Sequence, residues 1–333
     1  MPNILQCVAM GRLLISDSAT GTWFQNVVKS RVRGECCDQY NVTRSDTVRE
    51  LYRTKIVAGA DLVLTNTFNS TPMRLREFNL QSEADAFNAA AVHLLREIIA
   101  ECGREVFVGG NIGPTGSLIG QSASYDEVLE SMRAQIRALV RAGVDILCVE
   151  TIFQSLEAQA AVEAAREVLS EERVWVPLYV TFAFMNRPDG IAGPFRTFFG
   201  DTVTDILEGK HDRLADRSYV GAVALGIDVV GANCSIGIED AVGVTQEFTH
   251  YINDHGLRGR MLVSAKPNSE VMSTMTYEDP AFASARFGRL VEAGAHFIGF
   301  CCGSTPDHIA AVVRRRLELL GSQREEPRSR GER

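Results

Sequence analysis

Short apolar runs recur along this chain and alternate with segments whose apolar residues repeat at helical spacing. Eight runs are rich in Val, Ile, Leu or Phe, and such near-continuous apolar character is typical of strands buried on both faces of a parallel sheet. They span residues 13–17, 61–66, 106–111, 145–150, 176–182, 228–233, 261–266 and 296–301. Segments such as 47–57, 125–140 and 280–291 have the helical spacing. The alternation predicts repeated βα units.

A weak internal repeat indicates how these units are arranged. Every second apolar run follows a glycine suited to ending a helix, and these glycines are Gly59, Gly143, Gly226 and Gly294. They lie 84, 83 and 68 residues apart, which corresponds to two βα units per step. We therefore expect a single-domain (β/α)8 TIM barrel over residues 1–320, with a doubly wound sheet as second choice. The polar segment 321–333 is expected to be a disordered tail.

Composition and charge restrict the class of function. The chain has 333 residues, of which 45% are hydrophobic, so it can bury a large core. Its net charge of -8 is spread along the sequence, which argues against nucleic-acid and membrane partners. No apolar run is long enough to span a bilayer, and eight cysteines are too few for a disulfide framework in a chain this long. We expect a cytoplasmic protein that acts on small molecules.

Polar residues stand where the predicted strands end. In a barrel of this kind the carboxyl ends of all strands meet at one mouth, where chemistry takes place. The residues at these ends are Asp17, Thr65, Asn66, Asn111, Glu150, Asn233, Cys234, Lys266, Asn268, Cys301 and Cys302. The sequence therefore predicts a polar site at the mouth.

Three cysteines in this set form a candidate metal site. Cys234 ends the sixth strand, and Cys301 and Cys302 end the eighth. Three thiolates with one open position are the ligand pattern of a catalytic zinc ion, since a structural zinc site has a fourth protein ligand. Gly303 allows the strand to break so that both adjacent cysteines can face the ion. Residues 305–307 have the pattern of a helix start, where thiolates are favoured.

A second adjacent pair, Cys36 and Cys37, lies in a polar connection after the first strand. Neither a strand end nor a glycine break accompanies it, so we interpret the pair as packing residues. The same interpretation applies to Cys7, Cys102 and Cys148.

Seven motifs at the strand ends resemble the homocysteine S-methyltransferase family. They are DSATGT (17–22), AGADLVLTNTF (58–68), GGNIGPTG (109–116), AGVDILCVETI (142–152), GANC (231–234), KPN (266–268) and GFCCGSTPDHI (299–309). The resemblance runs from about residue 13 to residue 320. It implies a zinc barrel in which Cys234, Cys301 and Cys302 bind Zn²⁺. The implied reaction moves a methyl group from a small onium donor, of betaine or sulfonium type, to the thiol of homocysteine and gives methionine.

The resemblance also implies roles for polar residues in binding homocysteine. Asp17 and Glu150 would pair with the ammonium group, and Asn66 would lie among the substrate-binding residues. Asn233 and Asn268 would hydrogen-bond the ligand or hold the zinc loop. Backbone N–H groups of Ala19, Thr20, Gly21 and Thr22 would receive the carboxylate.

Two positions depart from the family pattern, and the donor stays open. Phe300 replaces a glycine before the cysteine pair, and Ser18 follows Asp17 where the family has glycine. Aromatic faces attract onium cations. The available aromatic residues are Trp23, Phe68, Phe153, Phe182, Phe184, Phe195, Phe198, Phe199 and Phe300. Asn69 and Thr151 stand where animal betaine enzymes have tyrosines, which weakens an animal-type betaine interpretation.

Three alternatives to a methyltransferase that uses a free onium donor remain. A separate corrinoid protein could supply the methyl group, which would make this chain the homocysteine-binding subunit of a split methionine synthase. A zinc- and thiol-binding barrel without catalysis is a second alternative. A metal-independent aldolase that uses Lys266 as a Schiff-base amine is a third, but it leaves the three cysteines unexplained.

Overall fold

Eight parallel strands form a ring in the computed structural model, which describes residues 2–28, 35–186, 193–271 and 275–325. The strands are β1 (Leu14–Ile15), β2 (Leu62–Leu64), β3 (Phe107–Ile112), β4 (Ile146–Ile152), β5 (Leu178–Phe182), β6 (Val229–Asn233), β7 (Leu262–Lys266) and β8 (Phe297–Ile298). Each pairs in parallel with its neighbours in the order β1-β8-β7-β6-β5-β4-β3-β2. A parallel bridge between Ser16 and Leu62 joins β1 to β2. The predicted (β/α)8 barrel is confirmed.

Helices surround this ring. In chain order they are α1 (Ile4–Ala9), α2 (Thr20–Val27), α3 (Tyr40–Thr43), α4 (Ser45–Ala58), α5 (Pro72–Leu75), α6 (Ala84–Cys102), α7 (Tyr125–Ala142), α8 (Ser155–Glu172), α9 (Val203–Glu208), α10 (Ala222–Leu225), α11 (Ile238–Asp254), α12 (Pro280–Glu292) and α13 (Pro306–Glu325). Short 3₁₀ helices span Cys37–Gln39, Arg76–Phe78 and Gln81–Glu83. Within the described ranges, no helix combines the length and the apolar character needed to cross a membrane.

Local sequence explains where the predicted helices begin and end. Helix α7 begins after Ser124, whose side chain accepts from the N–H of Glu127 in a capping box. Helices α4, α7 and α10 end at Gly59, Gly143 and Gly226 in the left-handed conformation. The fourth glycine of the repeat, Gly294, has φ +99° and follows the end of α12.

The two larger clusters of the core lie outside and inside the ring of strands. The larger part lies between the strands and the outer helices. A smaller cluster fills the inside of the barrel, where Tyr179 and Phe297 pack edge to face with ring centroids 5.8 Å apart. Helix α1 contributes Ile4, Cys7 and Val8 to this cluster, which also contains Cys148. The interior is therefore packed apart from the mouth, as expected for a barrel of eight strands.

Two features of the fold were not predicted, namely two short hairpins and the full length of α13. Antiparallel hairpins, Lys210–Asp212 with Arg217–Tyr219 and Glu270–Val271 with Thr276–Tyr277, are inserted after β5 and β7. Their strands are short and mostly exposed, so the sequence offered no apolar run to reveal them. Helix α13 extends to Glu325, so the predicted tail 321–333 begins within this helix, and residues 326–333 lie outside the described residues.

Candidate metal centre

Three sulfurs converge at the mouth of the barrel. Cys234 follows β6, and Cys301 and Cys302 follow β8. The sulfurs of these residues all lie within 4.8 Å of one another, and the Sγ atoms of Cys234 and Cys302 are 3.7 Å apart. Cys234 and Cys301 are half-buried and Cys302 is exposed, so a ligand can reach the cluster. The structure brings together the three residues that the sequence predicted as a group.

The spacing of the sulfurs fits a tetrahedral zinc ion. Zinc–sulfur bonds of about 2.3 Å at tetrahedral angles place two sulfurs about 3.8 Å apart, close to the separation between Cys234 and Cys302. Thiolates are also the soft ligands that zinc prefers over magnesium or calcium. Three such ligands leave a fourth position available, which is the pattern of a catalytic site.

Backbone geometry at the strand ends orients the sulfurs. Cys234 and the following Ser235 have φ +62° and +65°, a left-handed conformation that is uncommon for residues other than glycine. Gly303 follows the cysteine pair with φ +83°, and a Cβ there would lie 2.4 Å from the backbone nitrogen of Glu270. The chain after Cys302 can therefore turn this way only because residue 303 has no side chain.

The connection after β7 braces both cysteine segments. The N–H of Cys234 donates to the carbonyl of Lys266 over 3.1 Å, and the N–H of Cys301 donates to that of Pro267 over 2.7 Å. The carbonyl of Cys302 accepts from the N–H groups of Ser269 and Glu270. Residues of one connection thus hold the two ligand-bearing segments against each other.

The predicted substrate residues Asn268, Ala19 and Thr22 also hold this arrangement. The side chain of Asn268 donates to the sulfur of Cys234, and its backbone N–H donates to the carbonyl of Ile236. The hydroxyl of Thr22 accepts from the N–H of Gly303 over 2.9 Å. The N–H of Ala19 donates to the hydroxyl of Ser304 over 3.0 Å. These contacts favour the zinc-loop alternative for Asn268.

Helix α13 begins at Pro306 directly after the cysteine loop, as its sequence predicts. The ring of the buried residue His308 accepts from the N–H of Thr305 through Nδ1 and donates to the carbonyl of Glu278 through Nε2. Burial lowers the pKa of His308, in keeping with this neutral tautomer. Phe300 is buried and packs against His308 with ring centroids 5.8 Å apart. The side chain of Phe300 thus supports the start of α13 and also lines the mouth.

The three thiols ionise as a group. Hydrogen bonds from Cys301 and Cys302 lower the pKa of Cys234 to about 3. The same contacts with the Cys234 thiolate raise the pKa of Cys301, and they raise that of Cys302 to about 12. The cluster alone therefore holds one negative charge. A cation is needed to stabilise all three thiolates together.

A cavity of about 830 Å³ opens above the sulfurs. The predicted aromatic residues that line it are Phe68, Phe153, Phe199 and Phe300, together with Phe24 and Phe78, which were not predicted. Trp23, Phe182, Phe184 and Phe195 are buried in the main core. Phe198 is exposed and packs edge to face on Phe153 with centroids 5.3 Å apart. The cavity is large enough for two small substrates.

Asp17 and Glu150 meet at the floor of this cavity, as predicted, but each contacts a lysine. Asp17 Oδ2 lies 2.7 Å from Lys55 Nζ, and Asp17 Oδ1 lies 3.6 Å from Lys266 Nζ. Glu150 Oε1 lies 2.6 Å from Lys266 Nζ. All four side chains are buried. We refer to Asp17, Lys55, Glu150 and Lys266 as the charge quartet.

The charge quartet decides the protonation of Lys266. Burial alone would lower the pKa of Lys266, but Glu150 and Asp17 raise it well above its usual range. Burial raises the pKa of Glu150, and it lowers that of Lys55 against the attraction of Asp17. A Schiff-base lysine needs a neutral amine. The protonated state of Lys266 therefore weighs against the aldolase alternative.

Lys55 was missed in the sequence, although its position carries a signal. It belongs to the buried stripe of α4, which otherwise consists of Val48, Leu51, Tyr52 and Ile56. A lysine at an apolar position of a helix needs a buried partner, because an unpaired buried charge is costly. That partner, Asp17, is 38 residues away in sequence, so the stripe alone could not identify it.

Of two further predicted residues, Asn66 lines the cavity, while Asn233 is buried and contacts Thr151, which lines it. The side-chain nitrogen of Asn66 donates to the carbonyl of Cys37 and to the side chain of Asn41. The side chain of Asn233 makes two hydrogen bonds with Thr151, whose φ of +64° is strained for a threonine. Asn233 therefore fixes the end of β4 beside Glu150.

The first turn of α2 faces the cavity. Thr20, Gly21 and Thr22 line it, and their N–H groups belong to a helix start that has no side-chain cap. Such N–H groups attract anions. The hydroxyl of Thr20 accepts from Lys55 over 2.7 Å, which ties this turn to the charge quartet.

Three further carboxylates line the cavity and were not predicted, because no strand end marks them. They belong to Glu35, Asp38 and Glu157. Burial raises the pKa of Asp38 to about 6 and that of Glu157 to about 7. Both ionise near neutral pH.

The fold and the cysteine cluster define a (β/α)8 barrel with a candidate thiolate metal site at its mouth. Residues 14–316 match the profile of the family described as "Homocysteine S-methyltransferase", so the chain belongs to that family. This confirms the predicted class of enzyme, a methyltransferase that acts on homocysteine.

Solved structures share the fold. The homocysteine methyltransferase MmuM from Escherichia coli in its oxidised form is 22% identical, with a TM-score of 0.67 over 94% of this chain and 100% of the other. Its metallated form gives 22% identity and a TM-score of 0.65 over 93% and 99%. A methyltransferase from Methanosarcina mazei is 12% identical, with a TM-score of 0.55 over 95% and 98%. At these identities the likeness concerns the architecture.

Proposed function

We propose that this protein is a zinc-dependent S-methyltransferase that moves a methyl group from a small onium donor to the thiol of homocysteine and gives methionine. The observation that carries the proposal is the cluster of Cys234, Cys301 and Cys302, with its tetrahedral spacing, beneath a cavity of about 830 Å³. Family membership supplies the acceptor. The existence of a metallated form of E. coli MmuM, which has the same fold, supports a role for a metal ion.

Cys234, Cys301 and Cys302 would hold the zinc ion. When bound, zinc supplies a Lewis acid that lowers the pKa of an added thiol. The N–H groups of Thr20 and Gly21 would donate to the carboxylate of homocysteine.

The aromatic lining of the cavity suits a cationic donor. Phe68, Phe153 and Phe199 offer aromatic faces, and onium groups bind such faces by cation–π attraction. Asp38 and Glu157 add carboxylates to the same lining. In the transfer, the acceptor sulfur bonds to the methyl carbon while the donor's carbon–nitrogen or carbon–sulfur bond breaks. The electron pair leaves with the donor, whose positive charge is thereby lost.

A donor screen with L-homocysteine as acceptor tests the proposal. Glycine betaine, S-methylmethionine, dimethylsulfoniopropionate and methylcobalamin would be offered to the zinc-loaded protein, and methionine would be measured. We expect methionine from at least one onium donor and about background from methylcobalamin. Methionine from methylcobalamin alone would instead support the corrinoid alternative. The absence of methionine with every donor would contradict the proposal and favour a non-catalytic barrel.

The pH dependence of the same reaction tests the role of the carboxylates. Because burial raises the pKa of Glu157 to about 7, its carboxyl group is neutral below that pH and charged above it. The KM for the onium donor should therefore fall as pH rises from about 6 to 8. In the Glu157→Gln variant the KM should be higher and flatter over this range. If the KM for the donor depended on pH in the variant as it does in the wild type, Glu157 would have no role in donor binding.

A further inference from the structure

The charge quartet changes how the acceptor can be recognised. Asp17 and Glu150 were expected to bind an ammonium group, but Lys55 and Lys266 already lie within 2.7 Å and 2.6 Å of them. Each of the two carboxylates thus already has a lysine amino group as its partner. The attraction that the carboxylates would otherwise offer to an incoming ammonium is therefore largely cancelled.

Lys266 also has hydrogen-bonding capacity left for a ligand. A lysine ammonium has three N–H donors. Among the described residues, Lys266 Nζ makes one hydrogen bond, to Glu150, while Asp17 Oδ1 lies at 3.6 Å, beyond hydrogen-bonding distance. Lys266 lines the cavity although only 3% of its surface is exposed. A buried cation with spare donors beside a cavity favours an anionic ligand group.

The first turn of α2 reinforces this preference. Its N–H groups line the same cavity, and Thr20 contacts Lys55 of the charge quartet. Asp17, which pairs with both lysines, lies three residues before α2 begins. The floor therefore presents an ammonium and a helix start to a ligand, while one oxygen of Asp17 and one of Glu150 already accept hydrogen bonds from lysines.

We infer that Lys266 is a specificity-determining residue that binds the acceptor's carboxylate, so that the enzyme accepts thiol acids without an amino group. The inference rests on the proposed function, because it concerns the acceptor in the same cavity. It extends the acceptor class from homocysteine to ω-mercapto carboxylic acids of the same length.

Three thiols separate the two recognition modes. They are L-homocysteine, 4-mercaptobutanoate, which lacks the amino group, and 3-mercaptopropylamine, which lacks the carboxylate. Their Kd values would be measured by calorimetry on the zinc-loaded enzyme, and methyl transfer to each would be measured separately. We expect 4-mercaptobutanoate to bind within about 10-fold of homocysteine and 3-mercaptopropylamine to bind at least about 30-fold more weakly.

The Lys266→Met variant should reverse this order. Loss of the ammonium removes the carboxylate's partner and frees Glu150 for an amine, so 3-mercaptopropylamine should gain affinity relative to 4-mercaptobutanoate. Lys55→Met is the matched control, because it removes the other lysine of the charge quartet, which is fully buried and has both Asp17 and Thr20 as partners. Its ratio of the two Kd values should change less. An equal change in both variants would indicate a general charge effect and would overturn the role of Lys266.

The wild-type protein alone can also overturn the inference. If 3-mercaptopropylamine binds nearly as well as homocysteine and 4-mercaptobutanoate binds at least about 30-fold more weakly, Asp17 and Glu150 bind the amine despite their lysines. In that case homocysteine methylation would persist and the proposed function would stand. If none of the thiols binds or is methylated, the proposed function and the inference fail together.

Discussion

Two pairs of adjacent cysteines occupy different surroundings in this barrel. Cys36 and Cys37 enter a 3₁₀ helix, and burial and the charge of Asp38 raise the pKa of both thiols to about 12. Cys301 and Cys302 follow a strand, precede the start of α13 and lie beside Cys234. Within the described part of the chain, only the second pair has a third sulfur next to it.

The difference shows that adjacency of thiols does not make a metal site. Cys37 lines the same cavity as Cys301 and Cys302, so access to the cavity does not distinguish the pairs either. The glycine that permits the backbone to turn does distinguish them, as do the bracing contacts from the connection after β7. Three sets of variants test this explanation.

Removal of the second pair should have the largest effect. In the Cys301→Ser/Cys302→Ser variant, zinc should fall from about one ion per chain to none, because one thiolate cannot hold zinc alone. Methyl transfer should fall to background with it. Zinc would be measured by mass spectrometry after gel filtration against a weak chelator.

The matched control is Cys36→Ser/Cys37→Ser, which should keep about one zinc per chain. If the Cys301→Ser/Cys302→Ser variant kept its zinc, the metal site would lie elsewhere. If the control lost its zinc while folded, the contrast between the pairs would be wrong.

The glycine after the second pair should have the next largest effect. Gly303→Ala should lower the free energy of unfolding by about 3 kcal/mol and weaken zinc binding at least about 10-fold, because Cβ would meet the backbone of Glu270 at a strained φ. Gly11→Ala is the control, since Gly11 has φ +85° with no atom within 4 Å of an added Cβ. It should cost about 1 kcal/mol and leave zinc unchanged. If Gly303→Ala and Gly11→Ala lowered the free energy of unfolding equally in denaturant titrations, the backbone near Glu270 would have moved to relieve the contact.

The first pair itself should show the smallest effect. Cys36 is buried beside Leu75 and Phe87, so Cys36→Ser should lower the free energy of unfolding by about 1 kcal/mol by burying a hydroxyl. Cys37 is half-buried, and Cys37→Ser should cost less than about 0.5 kcal/mol. Urea titration of each variant measures both values. A larger cost at Cys37 than at Cys36 would mean that Cys37 makes a contact beyond simple packing.

The sequence was sufficient to predict the strands and helix ends that follow from local periodicity. All eight strands lie where apolar runs predicted them, and Gly59, Gly143 and Gly226 end helices as expected. The convergence of Cys234 with Cys301 and Cys302 also followed, because the carboxyl ends of parallel strands share one edge.

Periodicity within a segment cannot predict contacts between segments that are far apart in the sequence. The pairing of Lys55 with Asp17 depends on how α4 lies against β1, and it gives one predicted ligand residue an internal ion-pair partner. The hydrogen bonds between the Asn233 side chain and Thr151 join residues 82 positions apart, so they too could not be predicted from periodicity. The hairpins after β5 and β7 lack the apolar residues from which strands are recognised.

The contacts that brace the cysteine loop also set the order in which the site can form. Thr22 and Gly303 are 281 residues apart, and Ala19 and Ser304 are 285 apart. Contacts of such long sequence separation form late in folding, after shorter loops have closed. During synthesis the last cysteines emerge when most of the barrel is already made. The cysteine loop therefore gains its braces only when the first and last segments of the ring come together.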